Sequence, residues 1–184
     1  MRITVKKITL MAVLTALGLI IFIIEAQLSL PFPLPGVKLG LANAVTLFSL
    51  FYGTGKSHQE NSSPGNNRDL NITTVDALVI LLCRIVLGAV FTGRLVAFAY
   101  SLTGGLLGFA AQAIMKRFVS RKQIWVCGAI GAVFHNTGQI LAAMLIMGTP
   151  SIAAYLPALI IAGVPTGVIT GLAAQFTLAR TERM

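Results

Sequence analysis

Residues 8–28, ITLMAVLTALGLIIFIIEAQL, carry a single ionisable side chain, Glu25. A helix rises 1.5 Å per residue, so a run of this length reaches across the roughly 30 Å hydrocarbon core of a bilayer. Arg2, Lys6 and Lys7 precede the run. It is longer than the apolar part of a secretory signal, and no Ala-x-Ala site follows, so an uncleaved first membrane span is expected. A soluble fold would need polar groups to cover such a surface. Of 184 residues, 56% are hydrophobic and only 10% charged, against roughly 25% charged in soluble domains. Lipid is the expected solvent.

The same pattern recurs along the chain. Apolar runs predict spans at about residues 8–28, 38–52, 75–90, 96–115, 124–147 and 153–178, the second barely long enough to cross. Between the first two, Ser29-Leu-Pro-Phe-Pro-Leu-Pro-Gly36 cannot be regular helix, because three prolines remove donors and stiffen the backbone. Such backbone at membrane depth is tolerated where protein buries it or where it lines a cavity. Residues 54–74, rich in Asn, Ser, Gly and charge, predict a flexible loop. The expectation is an all-α membrane protein: one transmembrane domain over residues 1–184, with no room for a separate soluble catalytic domain.

The net charge of +9 raises the question of nucleic acid. No basic face interleaved with aromatics occurs, and the cations sit at the ends of apolar runs, where they read as topology signals facing anionic headgroups. With the N-terminus in the cytoplasm, eleven of the fourteen Lys and Arg residues fall inside, and only Lys38, Arg84 and Arg94 fall outside or in the membrane. Both termini and the 54–74 loop are therefore expected to be cytoplasmic. Cys83 and Cys127 lie in separate apolar runs and form neither a disulfide framework nor a metal motif.

Small residues four apart let helices approach closely in lipid. Ala12 and Ala16 mark the first span, Gly104 and Gly108 the fourth, and Gly163, Gly167 and Gly171 the sixth. Each stripe fits packing within the chain; Ala12 and Ala16, in the cytoplasmic half of a span, are also candidates for docking a membrane partner.

Polar groups at membrane depth cost about 2.5–3.5 kcal/mol even on lenient scales, so they seek partners or a cavity. Arg84 sits mid-span and needs a counter-charge, which Glu25 could supply, or an anionic ligand. His135 and Gln139 fall on one helix face with Asn136 adjacent. Lys38 and Asn43 point polar groups at the outer entrance of the second span, where the amides of residues 37–39 are expected to be free helix N-terminal donors favouring anions. Arg94 adds positive potential on the same side. Lys38, Asn43, Arg84, His135, Asn136 and Gln139 are thus the candidate substrate-binding residues, for a polar or anionic small molecule reaching them from outside. Gly53-Thr-Gly-Lys-Ser57 imitates the tail of a phosphate-binding loop, but the required earlier glycine is Leu50 and a membrane helix precedes it. No ATP site is expected on this chain. Asn71-Ile-Thr73 fits a glycosylation sequon on the expected cytoplasmic side and carries no weight.

At residues 35–43, PGVKLGLAN, in the Arg84 segment and at His135-Asn-Thr-Gly-Gln139, the chain resembles the bacterial family labelled heptaprenyl diphosphate synthase component I, also called Gx transporters. The resemblance covers nearly the whole chain, although the 54–74 loop looks longer than is usual there. That family is similar in fold to the S components of energy-coupling-factor transporters, which implies a six-helix substrate-binding subunit in the bacterial plasma membrane. It further implies a T-type membrane partner touching Ala12 and Ala16, ATP used by partner ATPases, and a first loop, here 31–38, closing over an outer pocket. The synthase label implies instead a non-catalytic membrane partner of a soluble prenyl synthase serving menaquinone side-chain synthesis. Chain elongation needs aspartate-rich clusters to hold Mg²⁺, and the five acids here, Glu25, Glu60, Asp69, Asp76 and Glu182, are scattered. No catalytic residue, metal site or cofactor is expected on this chain.

Overall fold

The computed structural model describes residues 4–27, 37–52 and 72–181. Most of the proline-rich segment and nearly all of the 54–74 loop lie outside the described residues. Six α-helices follow in order: α1 Val5–Gln27, α2 Asn43–Tyr52, α3 Thr74–Thr92, α4 Leu95–Met115, α5 Ile124–Met147 and α6 Leu156–Thr181. No strand occurs among the described residues. All but α2 are long and apolar enough to cross a membrane by length and composition. The fold is an all-α membrane bundle.

The bounds of α5 coincide with the expected 124–147, and those of α1, α3 and α4 lie within three residues of expectation. The second run differs: helix begins only at Asn43, and residues 37–40 are non-helical ahead of a turn. Gly40, at φ +84°, breaks the helical path, since a left-handed φ cannot continue a right-handed helix. Ten residues of α2 rise about 15 Å, half a bilayer core, so α2 alone is too short to span one. The sixth run opens with a 3₁₀ turn, Pro150–Tyr155, before α6.

Cross-bonds at one end show which termini sit together. The Lys7 ammonium pairs with Asp76 Oδ2 at 2.6 Å, both side chains buried, and so ties the start of α1 to the start of α3. Asp76 also closes a reciprocal capping box: its Oδ2 accepts the Thr73 N–H at 2.7 Å, while Thr73 Oγ1 accepts the Asp76 N–H at 3.3 Å. At the end of α2, Lys116 Nζ donates to the Leu50 carbonyl at 2.6 Å and Arg121 Nη2 to the Phe51 carbonyl at 3.3 Å. These cations satisfy last-turn carbonyls that a helix leaves unpaired. Burial, and secondarily the neighbouring Arg121, pulls the Lys116 pKa below its ordinary value. The Ile124 N–H donates to Gln175 Oε1 at 3.1 Å, bringing the start of α5 to the last turns of α6.

Helices α4, α5 and α6 pack most closely, and their glycines explain it. A Cβ on Gly104 would lie 2.7 Å from the His135 carbonyl of α5, and one on Gly167 would lie 2.6 Å from the Gly128 carbonyl. Gly171 meets Trp125 and Gly163 meets Asn136 in the same interface. The Gly104/Gly108 and Gly163–Gly171 stripes therefore serve packing within the chain. Ala12 and Ala16 do not: both are exposed, beside exposed Val13 and Leu17, on the side of α1 turned away from the bundle. Exposed Val86, Leu145 and Ile161 continue an apolar exterior suited to lipid.

Candidate functional site

The irregular backbone at 37–42 enters the bundle at the depth of the polar residues, and it is there that the polar residues meet. Every backbone group dragged out of water must find a partner, since an unpaired amide in an apolar interior costs several kcal/mol. Gln139 Oε1 accepts the Lys38 N–H at 2.9 Å, and Gln139 Nε2 donates to the Lys38 carbonyl at 2.8 Å. Two residues on, Glu25 Oε1 accepts the Gly40 N–H at 2.6 Å. The expected free amides of 37–39 are thus corrected: the Lys38 amide is taken by Gln139, and the helix starts later, with Asn43, Ala44 and Val45 bonded back to the carbonyls of residues 40–42.

Gln139 also fixes His135. Its Nε2 lies 2.5 Å from His135 Nε2. Because the amide oxygen holds the Lys38 N–H, the amide nitrogen must point at the ring, so His135 Nε2 is the acceptor and the proton sits on Nδ1. That Nδ1 lies against the Gly104 backbone without closing a hydrogen bond of good geometry. The ring also borders Gly40: a Cβ there would lie 2.8 Å from Asn43 Nδ2 and 3.1 Å from the His135 ring. Position 40 demands glycine twice, for its φ and for this crowding.

Asn43 links the segment to Arg84. Arg84 Nη2 donates to Asn43 Oδ1 at 3.2 Å, while its Nε, fully buried, has no partner among the described residues. Glu25, the possible counter-charge, makes no ion pair with Arg84 among the described residues: its Oε1 accepts the Gly40 N–H, and its charge acts on Arg84 and Lys38 through space. Lys38 Nζ lies 3.1 Å from the centroid of the Phe22 ring, a cation–π contact. Exposed Arg94, at the start of α4, acts on Lys38 only through space.

Glu25, Lys38, Asn43, Arg84, His135 and Gln139 therefore share one cluster, buried except for half-buried Asn43 and contributed by α1, α2, α3, α5 and the 37–42 segment. Asn136 does not join it. One residue along α5 is a 100° rotation, and its side chain enters the α6 interface, where Nδ2 donates to the Leu159 carbonyl at 2.7 Å. Two members escaped the sequence reading. Gly18 makes room for the Arg84 side chain, where a Cβ would lie 3.0 Å from Cδ, and Phe22 receives Lys38. With Glu25 they follow the i, i+4, i+7 spacing of one helix face. That spacing was visible, but nothing marks one apolar face of a lipid-embedded helix as the inner one.

Fold and site together define a multi-pass membrane protein with an ionisable centre buried around the non-helical segment ahead of α2. The heptaprenyl diphosphate synthase component I family profile matches residues 14–58 and 70–177. The chain belongs to that family. No curated protein and no solved structure matches it.

Proposed function

We propose that this chain is the non-catalytic membrane component of a heptaprenyl diphosphate synthase in the cell membrane, acting in menaquinone side-chain synthesis. The family match over most of the chain carries this reading. The acid inventory agrees with it: five scattered carboxylates leave Mg²⁺-dependent chain elongation to a soluble partner with paired aspartates. In this reading the cluster around Arg84 receives the anionic head of an isoprenoid diphosphate, while the apolar exterior lies in the lipid that the isoprenoid tail prefers. Deleting the gene should remove quinones with full-length side chains from the membrane, and re-expression should restore them. Normal quinone content in the deletion strain would overturn the proposal.

A second reading is the substrate-binding subunit of an ATP-driven uptake transporter. Two observations favour it: the Glu25–Gly40 contact lies away from the basic Lys116–Lys122 end, and the Ala12/Ala16 face is exposed. In mild detergent it predicts co-purification of a T-type membrane subunit with ATPases, whereas the first reading predicts a soluble prenyl synthase.

A further inference from the structure

The contact between Glu25 and Gly40 has the chemistry of a bound ligand. A backbone N–H in a helix-free stretch donates to a buried carboxylate at 2.6 Å. Two cations lie in the same cluster, Lys38 beside Phe22 and Arg84 beside Gly18 on the Glu25 face of α1, yet each takes a neutral contact: Lys38 the Phe22 ring, Arg84 the Asn43 amide. Arg84, only 4% exposed, keeps its Nε without a partner among the described residues. His135 faces the cluster as a neutral acceptor of the Gln139 amide, with Gly104 and Gly108 of α4 behind it. Two cations against one carboxylate leave one net positive charge, and a buried net charge is costly unless compensated.

We infer that Glu25 is a resident occupant of an oxyanion position made by the Gly40 N–H beside Lys38 and Arg84, and that a phosphate or diphosphate oxyanion binds by displacing it and drawing in the Arg84 guanidinium. This rests on the reading that the cluster receives an anionic head. It adds that the site is closed by the protein's own carboxylate until the ligand arrives, and that α1 registers the exchange. Glu25, Phe22 and Gly18 lie on the buried stripe of α1, so loss of the Gly40 bond loosens the last turns of the helix that otherwise exposes Ala12 and Ala16. A displaced carboxylate stays near Lys38, and the incoming oxyanion takes the N–H and the guanidinium, so no proton transfer is needed.

The full chain, purified in mild detergent, can be titrated calorimetrically with inorganic pyrophosphate as the wild type, Glu25→Gln and Arg84→Gln. In Glu25→Gln the new amide oxygen still accepts the Gly40 N–H but no longer competes as an anion, so affinity should rise by about tenfold or more. Arg84→Gln should lose binding. If the wild type binds and Arg84→Gln does not, but Glu25→Gln binds no tighter, displacement is overturned and the anion site stands. If neither the wild type nor Glu25→Gln binds pyrophosphate, the site and the displacement fall together. Hydrogen exchange on the unmodified protein guards against a misfolded variant: saturating pyrophosphate should slow exchange at 38–43 and quicken it over the last turn of α1. Slowing at both would overturn the displacement.

Discussion

At Gln139 both amide protons and the amide oxygen are committed: the oxygen to the Lys38 N–H, one proton to the Lys38 carbonyl, the other to His135. Replacing it with leucine strands a buried N–H and a buried carbonyl, each costing about 1–3 kcal/mol. Gln139→Leu should therefore lower unfolding stability in detergent by about 2–5 kcal/mol, read from a denaturant titration. A loss below about 1 kcal/mol would show that the 37–40 backbone finds other partners. Arg84, His135 and Gln139 were legible in the sequence because each is a polar group in an apolar run, and the bilayer makes that contrast expensive. Their roles were less legible. Side-chain chemistry marks Glu25 as a possible counter-charge for Arg84, but the hydrogen bond that Glu25 accepts comes from the Gly40 backbone amide, which leaves no trace in side-chain chemistry. Asn136 shows the same limit, since adjacency in sequence and adjacency in space part company after a 100° turn.

Helix faces separate two kinds of small-residue stripe. A side chain at Gly167 would press into the Gly128 carbonyl, backbone that cannot move aside, so Gly167→Leu should destabilise the bundle by about 2–3 kcal/mol or more. Ala16 is exposed, so Ala16→Leu should change stability by no more than about 0.5 kcal/mol. Paired denaturation curves check the contrast; equal losses in both variants would contradict the assigned faces. If a membrane partner docks on α1, Ala16→Leu should also block its co-purification while the chain itself still folds. Spacing of four revealed all these stripes equally and could not say which faced inward. The short α2 carries a related lesson. Hydropathy marked 38–52 as one run, but hydropathy is blind to φ, and at Gly40 the backbone turns left-handed.

For the whole molecule, the testable property is orientation. With Cys83 and Cys127 replaced, a single cysteine at position 94 should react with a membrane-impermeant maleimide on intact cells, and one at position 117 only after permeabilisation; the opposite pattern would invert the topology. The Lys7 bond joins the starts of α1 and α3, the Lys116 and Arg121 bonds hold the start of α5 against the end of α2, and the apolar cluster of Leu10, Leu14, Ile72 and Tyr52 brings the two groups to one end of the bundle. What the amino-acid sequence determined by itself was the solvent and the element list: long apolar runs with almost no charge have no stable home but lipid, and in lipid an unpaired backbone folds to helix. Tertiary structure alone decided which polar groups meet, because hydropathy and spacing are properties of one strand of chain, while the contacts among Glu25 and Gly40, Lys38 and Gln139, and Asn43 and Arg84 depend on how separate helices rotate and slide against one another.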